Sequence, residues 1–274
     1  MSARVSGRLS AALAAALALV LILGVALGPL LLGDLGIRAD FSARNLAPLA
    51  EHPFGTDQLG RDILARALHG LALSLQVGLL AAGLSVLIST LMALASGLGR
   101  RADQLAGFVT DGFLAMPHLM LLILLCFAFG GGTSAVILAV AISHWPRLAR
   151  ILRAELLQIR AAPYVETARA LGRSRLQITW HHILPHLLPQ MLVGFLLMFP
   201  HAILHEAALT FLGFGLEPSR PAIGVMLSEA MRHISAGRWW LALFPGLMLL
   251  ALVLSFEMLG NALRRLISPR EAQC

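Results

Sequence analysis

The chain has 274 residues, of which 58% are hydrophobic and only 13% are charged. A typical soluble domain has about 45–50% apolar and about 25% charged residues, so this composition excludes an ordinary water-soluble protein. Its basic residues are 21 arginines with no lysine, and 14 acids leave a formal net charge of +7. P-loop ATPases and Schiff-base enzymes both need a lysine, so these classes are excluded too. Any ATP-driven activity must take its energy from another chain.

Six apolar segments are long enough to cross a bilayer, which needs about 20 helical residues. The first follows Arg4 and Arg8 as a signal peptide would, but it exceeds the signal's apolar region of about 7–15 residues, so we expect an uncleaved anchor. The fourth is weakest, because His144, Pro146 and Arg147 interrupt its second half. The predicted spans are 9–32, 73–98, 105–129, 133–152, 187–204 and 239–259.

These spans divide the chain into an N-terminal anchor with an external loop (1–72), a core of five helices (73–270) and a tail (271–274). Fourteen arginines lie on the side of the termini and seven on the other side. The positive-inside rule therefore predicts that both termini are cytoplasmic. The second external loop, 206–238, is rich in glycine and proline, and we expect a short helix there that returns toward the membrane.

The long cytoplasmic loop, 147–187, contains a recognisable pattern. Glu-Thr-Ala begins at residue 166, a glycine follows the alanine by four residues, and Leu-Pro comes twelve residues later. The pattern also suits an ordinary amphipathic connector, but it resembles the EAA loop of ABC importer permeases, whose short coupling helix docks into a cleft on the partner ATPase. The resemblance implies that ATPase movement is transmitted by Glu166, Ala168, Gly172, Leu184 and Pro185.

The first external loop carries a more specific motif. From His52 the sequence HPFGTDQLGRDILARALHGLALSL is similar to the HP-x-GTD-x-x-GRD-x-x-SR-x-x-x-G-x-x-x-SL signature of the dipeptide, oligopeptide and nickel branch of these permeases. Ala65 replaces the usual serine. The segments AALTFLGFG from Ala207, FPGLMLL from Phe244 and LGNALRR from Leu259 extend the resemblance as far as Arg270. The external motif residues are Gly55, Thr56, Asp57, Gly60, Arg61 and Asp62.

The resemblance implies an all-α membrane protein with six transmembrane helices and the type I ABC importer permease fold, in a bacterial inner membrane. Its expected partners are a second homologous permease, two ABC ATPases and an extracytoplasmic substrate-binding protein, with no nucleic acid. The chain itself is expected to bind no cofactor and to catalyse no reaction. ATP and Mg²⁺ would be bound by the ATPases, which would drive alternating access.

Polar residues near the outer end of the fifth span are candidates for the substrate path. His201 and His205 are four residues apart and so share a helical face, and Glu206 follows them. Polar groups at this depth are expected to face a pore. Because neutral imidazole binds Ni²⁺ well, His201 and His205 are also candidate metal ligands.

The substrate is left open between two classes. The sequences around His144 and His205 resemble nickel and metal-chelate permeases, so nickel or a nickel chelate is the first expectation. Dipeptide or oligopeptide import is the alternative, since specificity in such systems rests largely with the binding protein. An intramembrane enzyme is disfavoured, because His205-Glu206 lacks the second histidine of HExxH at Leu209. A structural subunit that carries no substrate would leave the coupling pattern without a purpose.

Overall fold

The computed structural model describes residues 2–267 and the side chains of residues 12–264. The end of the matched motif at Arg270 and the predicted tail, 271–274, lie outside the described residues. A π-helical turn lies at Thr179–Ile183, directly before the helix that begins at Leu184, and 3₁₀ turns lie at Phe41–Ala43 and Ile234–Ala236. The α-helices within the described range are α1 (Ser2–Leu32), α2 (Ile63–Ser96), α3 (Arg100–Ala115), α4 (His118–Ala128), α5 (Gly132–Arg160), α6 (Pro163–Ala170), α7 (Arg175–Ile178), α8 (Leu184–Phe211), α9 (Ile223–Met231) and α10 (Trp240–Ile267).

Five helical segments are long and apolar enough to cross a membrane, and the bent pair α3 and α4 supplies a sixth. The predicted number of spans is therefore confirmed when that pair is counted as one. The helices extend beyond the predicted limits, most clearly in α2, which begins at Ile63 rather than near Leu73. The Asp62 carboxylate caps this helix by accepting a hydrogen bond from the Ala65 N–H. A short helix, α9, lies in the second external loop as predicted.

The third span was predicted as one continuous helix over 105–129, and this prediction is wrong. α3 ends at Ala115, α4 begins at His118, and the two axes meet at a 100° bend. Met116 is extended, with ψ 140°. A residue before proline is driven away from helical geometry, and Pro117 has no N–H to continue the hydrogen-bond ladder.

The fourth span also differs from its prediction. α5 continues without interruption through Pro146 to Arg160, although its interfacial end was expected near Leu152. The predicted loop 147–187 is thus largely helical, since it contains the last turns of α5, then α6, α7 and the π-helical turn. A buried row along α5 that includes Leu148, Leu152 and Leu156 keeps this extension packed on the bundle.

The centre of the bundle is formed by α2, α5 and α8. Gly78 on α2 allows close packing, because an added Cβ would lie 3.0 Å from Ile203 and 3.2 Å from Phe199 on α8. α10 and α9 complete one side of this core, and α4 completes the other. α1 packs against α2 and α10 at the periphery. Three regions of this all-α structure contain the candidate functional residues: the external loop, the segment after α5, and a cluster of histidines.

Candidate functional site

The GTD motif lies in the loop before α2, which keeps the name external loop after its predicted side of the membrane, and its own side chains close a tight turn. The Thr56 hydroxyl donates to the Ala43 carbonyl at 2.5 Å and accepts from the Leu46 N–H at 2.8 Å. Gly60 has φ +76°, and an added Cβ would lie 1.6 Å from the Asp40 carbonyl oxygen. Only glycine fits such a left-handed, crowded position.

Charged residues of the same loop meet a glutamate on α9. The Asp57 carboxylate accepts from Arg61 Nε at 2.7 Å and from Arg66 Nη1 at 3.1 Å. The Arg66 guanidinium also donates to both carboxylate oxygens of Glu229, at 2.6 and 3.3 Å. We call Asp57, Arg61, Arg66 and Glu229 the clasp. Buried charges are stable only when paired, so the clasp fixes the external loop to α2 and α9.

The other motif residues extend the same attachment. Asp62 Oδ2 lies 2.9 Å from His52 Nδ1, while its other oxygen caps α2. Gly55 lies against Trp240, whose indole N–H donates to the Thr56 carbonyl at 3.3 Å. The external motif therefore ties the loop to α2, α9 and α10. Sequence reasoning assigned no contact to Arg66, although it belongs to the quoted signature, and gave no signal for Glu229.

The EAA-like pattern lies on an amphipathic helix, α6. Val165 and Ala168 are buried against Ile159 and Ile178, whereas Glu166 is exposed. Two of the predicted coupling residues therefore lie on opposite faces of α6. Ala168 anchors α6 to the bundle, and Glu166 is available to a partner.

Gly172 ends this helix in the left-handed conformation, with φ +79°. Its N–H donates to the Arg169 carbonyl at 3.0 Å, and the Arg173 N–H donates to the Ala168 carbonyl at 3.1 Å. This pattern is a glycine C-cap of the Schellman type. Leu184 and Pro185 begin α8 directly after the π-helical turn. Large apolar side chains are exposed around the segment, namely Tyr164, Leu171, Leu176 and Trp180.

Three histidines from separate helices meet within the bundle. The ring centres of His118, His144 and His205 lie 4.6, 4.8 and 5.0 Å apart. His201 is exposed one turn from His205, and its carbonyl accepts a hydrogen bond from His205 Nδ1 at 2.7 Å. The predicted pair therefore shares a helical face, but the three-histidine cluster contains only His205 of that pair. Sequence spacing gave no signal that joined His118 to His144.

Glu206 lies elsewhere, because it is fully buried on the side of α8 that faces α2. Its carboxylate accepts from the Ser74 hydroxyl at 2.5 Å and from the Thr210 hydroxyl at 3.0 Å. The sequence analysis grouped Glu206 with His201 and His205. In the fold, Glu206 instead lies on the side of α8 that faces α2. Within this chain, Glu206 connects α8 to α2.

A cleft of about 500 Å³ opens between α2, α3 and α5. Two ion pairs line it. Arg153 binds Asp103 through two contacts, at 2.5 and 2.7 Å, and Arg150 lies 2.6 Å from Asp111. The cleft therefore presents both signs of charge in a volume typical of small-molecule sites.

Comparison with known proteins identifies the family. Residues 85–272 match the family model described as "Binding-protein-dependent transport system inner membrane component". The chain belongs to this family. A Brucella suis protein provisionally named a peptide transport system permease is 40% identical to this permease, over 81% of this chain and 75% of the relative. The dipeptide transport system permease protein of Alkalihalophilus pseudofirmus is 37% identical to this permease, over 88% of this chain and 80% of the relative.

Solved structures confirm the type I ABC importer permease fold. This permease matches an amino acid ABC transporter with histidines at a TM-score of 0.57 and 20% identity, over 74% of this chain and 94% of the other. It also matches the MetNI methionine ABC transporter, solved in inward-facing conformations, at a TM-score of 0.57 and 19% identity, over 75% and 96%. The chain is thus a multi-pass permease subunit of an ABC importer in the inner membrane.

Proposed function

We propose that this permease imports dipeptides or oligopeptides. The observation that carries the proposal is that relatives at 37–40% identity are named as peptide and dipeptide transport permeases. These names favour the peptide alternative over nickel and so reverse the order of the two sequence-based expectations. Nickel or a nickel chelate is kept as the second candidate, because three histidines converge within the bundle.

The cleft between α3 and α5 supports a substrate with separated charges. A peptide carries an ammonium group and a carboxylate, and the cleft offers Asp103 and Asp111 beside Arg150 and Arg153. These groups now pair with one another, so a bound peptide would exchange those ion pairs for contacts to its own termini.

The coupling assignment follows from the two faces of α6. We infer that the exposed face with Glu166 and the apolar side chains around it dock on an ATPase subunit. The buried face with Val165 and Ala168 then passes the displacement to α5 and α8. A second permease, two ATPases that bind ATP and Mg²⁺, and an external binding protein complete the proposed importer, with both termini of this chain in the cytoplasm.

Uptake measurements test the substrate. A deletion strain complemented with the wild-type gene is given a radiolabelled dipeptide, a radiolabelled oligopeptide or radiolabelled nickel in separate assays. We expect peptide accumulation to fall on deletion and to return on complementation, while nickel accumulation stays constant. Loss of nickel uptake with unchanged peptide uptake would favour the second candidate instead.

A further inference from the structure

We propose that His118, His144 and His205 form a binding site for one divalent transition-metal ion. The cluster joins the start of α4, the middle of α5 and the outer half of α8, three segments far apart in sequence. The inference goes beyond peptide import, since it concerns a metal site within the bundle whichever substrate is carried.

The geometry is close to that of a bound ion. One imidazole nitrogen from each histidine lies within 4.8 Å of the other two. Three imidazoles on a tetrahedral ion, each with a metal–nitrogen distance of about 2.0–2.1 Å, have ring centres roughly 5 Å apart. The observed separations of 4.6, 4.8 and 5.0 Å match this value. Each nitrogen needs to move by less than about 1 Å to reach a common ion.

Two of the rings turn Nδ1 toward a backbone carbonyl. His144 Nδ1 lies 2.9 Å from the Val140 carbonyl, and His205 Nδ1 lies 2.7 Å from the His201 carbonyl. A carbonyl only accepts hydrogen bonds, so each Nδ1 carries the proton and each Nε2 retains its lone pair. This backbone contact behind the imidazole is the usual support of a ligating histidine.

The chemistry of the site follows from its ligands and its exposure. Neutral imidazole suits Zn²⁺, Ni²⁺ and Cu²⁺, which bind nitrogen ligands well. All three histidines are half-buried, so the fourth coordination position remains reachable from outside the cluster. Three protein ligands with an open position define a site that exchanges its fourth ligand, in contrast to a closed structural site.

The test measures binding directly, so its result does not depend on uptake of any substrate. The full chain is purified with its partner subunits through a tag that lacks histidine, stripped with a chelator, and titrated with Co²⁺. His182 is half-buried and His186 is exposed, and they lie four residues apart near the start of α8, so the parent protein and all variants carry His182→Asn to remove that background.

We expect His118→Asn, His144→Asn and His205→Asn each to weaken Co²⁺ binding by at least about tenfold. The matched control is His201→Asn, on the same face of α8, and its affinity should stay within about twofold. Equal affinity in all four variants, or failure of the His182→Asn parent protein to bind one Co²⁺ per chain, would overturn the proposal.

A second variant separates ligation from folding. His205→Cys replaces one ligand with another, so the cobalt complex should gain a thiolate-to-metal charge-transfer band that the parent lacks. Cys126 is buried and contacts the Phe214 carbonyl, so the parent spectrum supplies the baseline. A folded His205→Cys variant that binds Co²⁺ without this band would show that residue 205 is not a ligand.

Discussion

The clasp makes a quantitative prediction for Glu229→Gln. The Arg66 side chain is only 3% exposed and Glu229 is 27% exposed. The substitution keeps the side-chain volume but removes the charge, leaving Arg66 to share Asp57 with Arg61. Breaking a buried ion pair costs about 3–5 kcal/mol, and the partial exposure of Glu229 places this case near about 3 kcal/mol. For a chain of this size, such a loss lowers the unfolding midpoint by roughly 5–10 °C.

The loop 206–238, which contains Glu229, also supplies a matched control, Glu217→Gln. Glu217 lies 4.0 Å from Arg220, and these side chains are 64% and 51% exposed. Exposed pairs contribute about 0.2–1 kcal/mol, so this midpoint should barely change. Thermal unfolding of the full chain in detergent, followed by tryptophan fluorescence, measures both variants.

A double variant tests the electrostatic argument itself. Arg66→Met combined with Glu229→Gln removes the buried cation that has lost its glutamate partner and leaves Asp57 paired with Arg61, so it should recover part of the lost stability. If the two single glutamine variants lowered the midpoint equally, or if the double variant gave no recovery, the clasp would not be the attachment described here.

Three further predictions concern the loops. Gly60→Ala should lower the amount of protein in the membrane, because the new Cβ would lie 1.6 Å from the Asp40 carbonyl oxygen. An immunoblot of membranes measures this amount, and a wild-type amount would show that the position tolerates a side chain. Gly172→Asp should abolish peptide uptake, because φ +79° is strained for a residue with a Cβ and the end of α6 must shift. An added Cβ meets no atom within 4 Å, so the membrane level should be unchanged, and wild-type uptake would refute the coupling assignment. A membrane-impermeant maleimide should label Glu51→Cys in intact spheroplasts but label Arg169→Cys only after permeabilisation, and the reverse pattern would invert the predicted topology.

Much of the fold could be predicted from local sequence. Apolar runs of bilayer length identify helices without reference to their partners, which is why five of the six predicted spans are single helices and the sixth is met by the bent pair α3 and α4 if it counts as one span. The break at Pro117 was missed because the predicted span 105–129 stays mostly apolar across it, so apolar composition alone does not mark the bend. Likewise α5 passes Arg147 as a helix, since its packing on the bundle outweighs the polar sequence.

The candidate sites were less predictable, for a physical reason. The exposed face of α6 follows from spacing within eight residues, so its pattern is local. The clasp and the histidine cluster instead depend on contacts between distant segments, such as Arg66 with Glu229. Spacing within one segment could show that His201 and His205 share a face, but it could not show which of them faces α4 and α5.

The break between α3 and α4 has a consequence for how the bundle is rotated about the membrane normal. Their 16 and 11 residues give lengths of roughly 24 and 16 Å, so neither helix alone crosses a hydrocarbon core of about 30 Å. At the break the Met116 N–H donates to the Phe113 carbonyl at 3.4 Å. The other terminal carbonyls of α3 gain no partner from a continuing helix, and acyl chains cannot supply one. The face at Met116 and Pro117 must therefore turn away from the acyl chains, toward another subunit or toward water. In the assembled importer we therefore expect the exposed helix α1 to face the bilayer and the bend at Met116 and Pro117 to face another subunit or water.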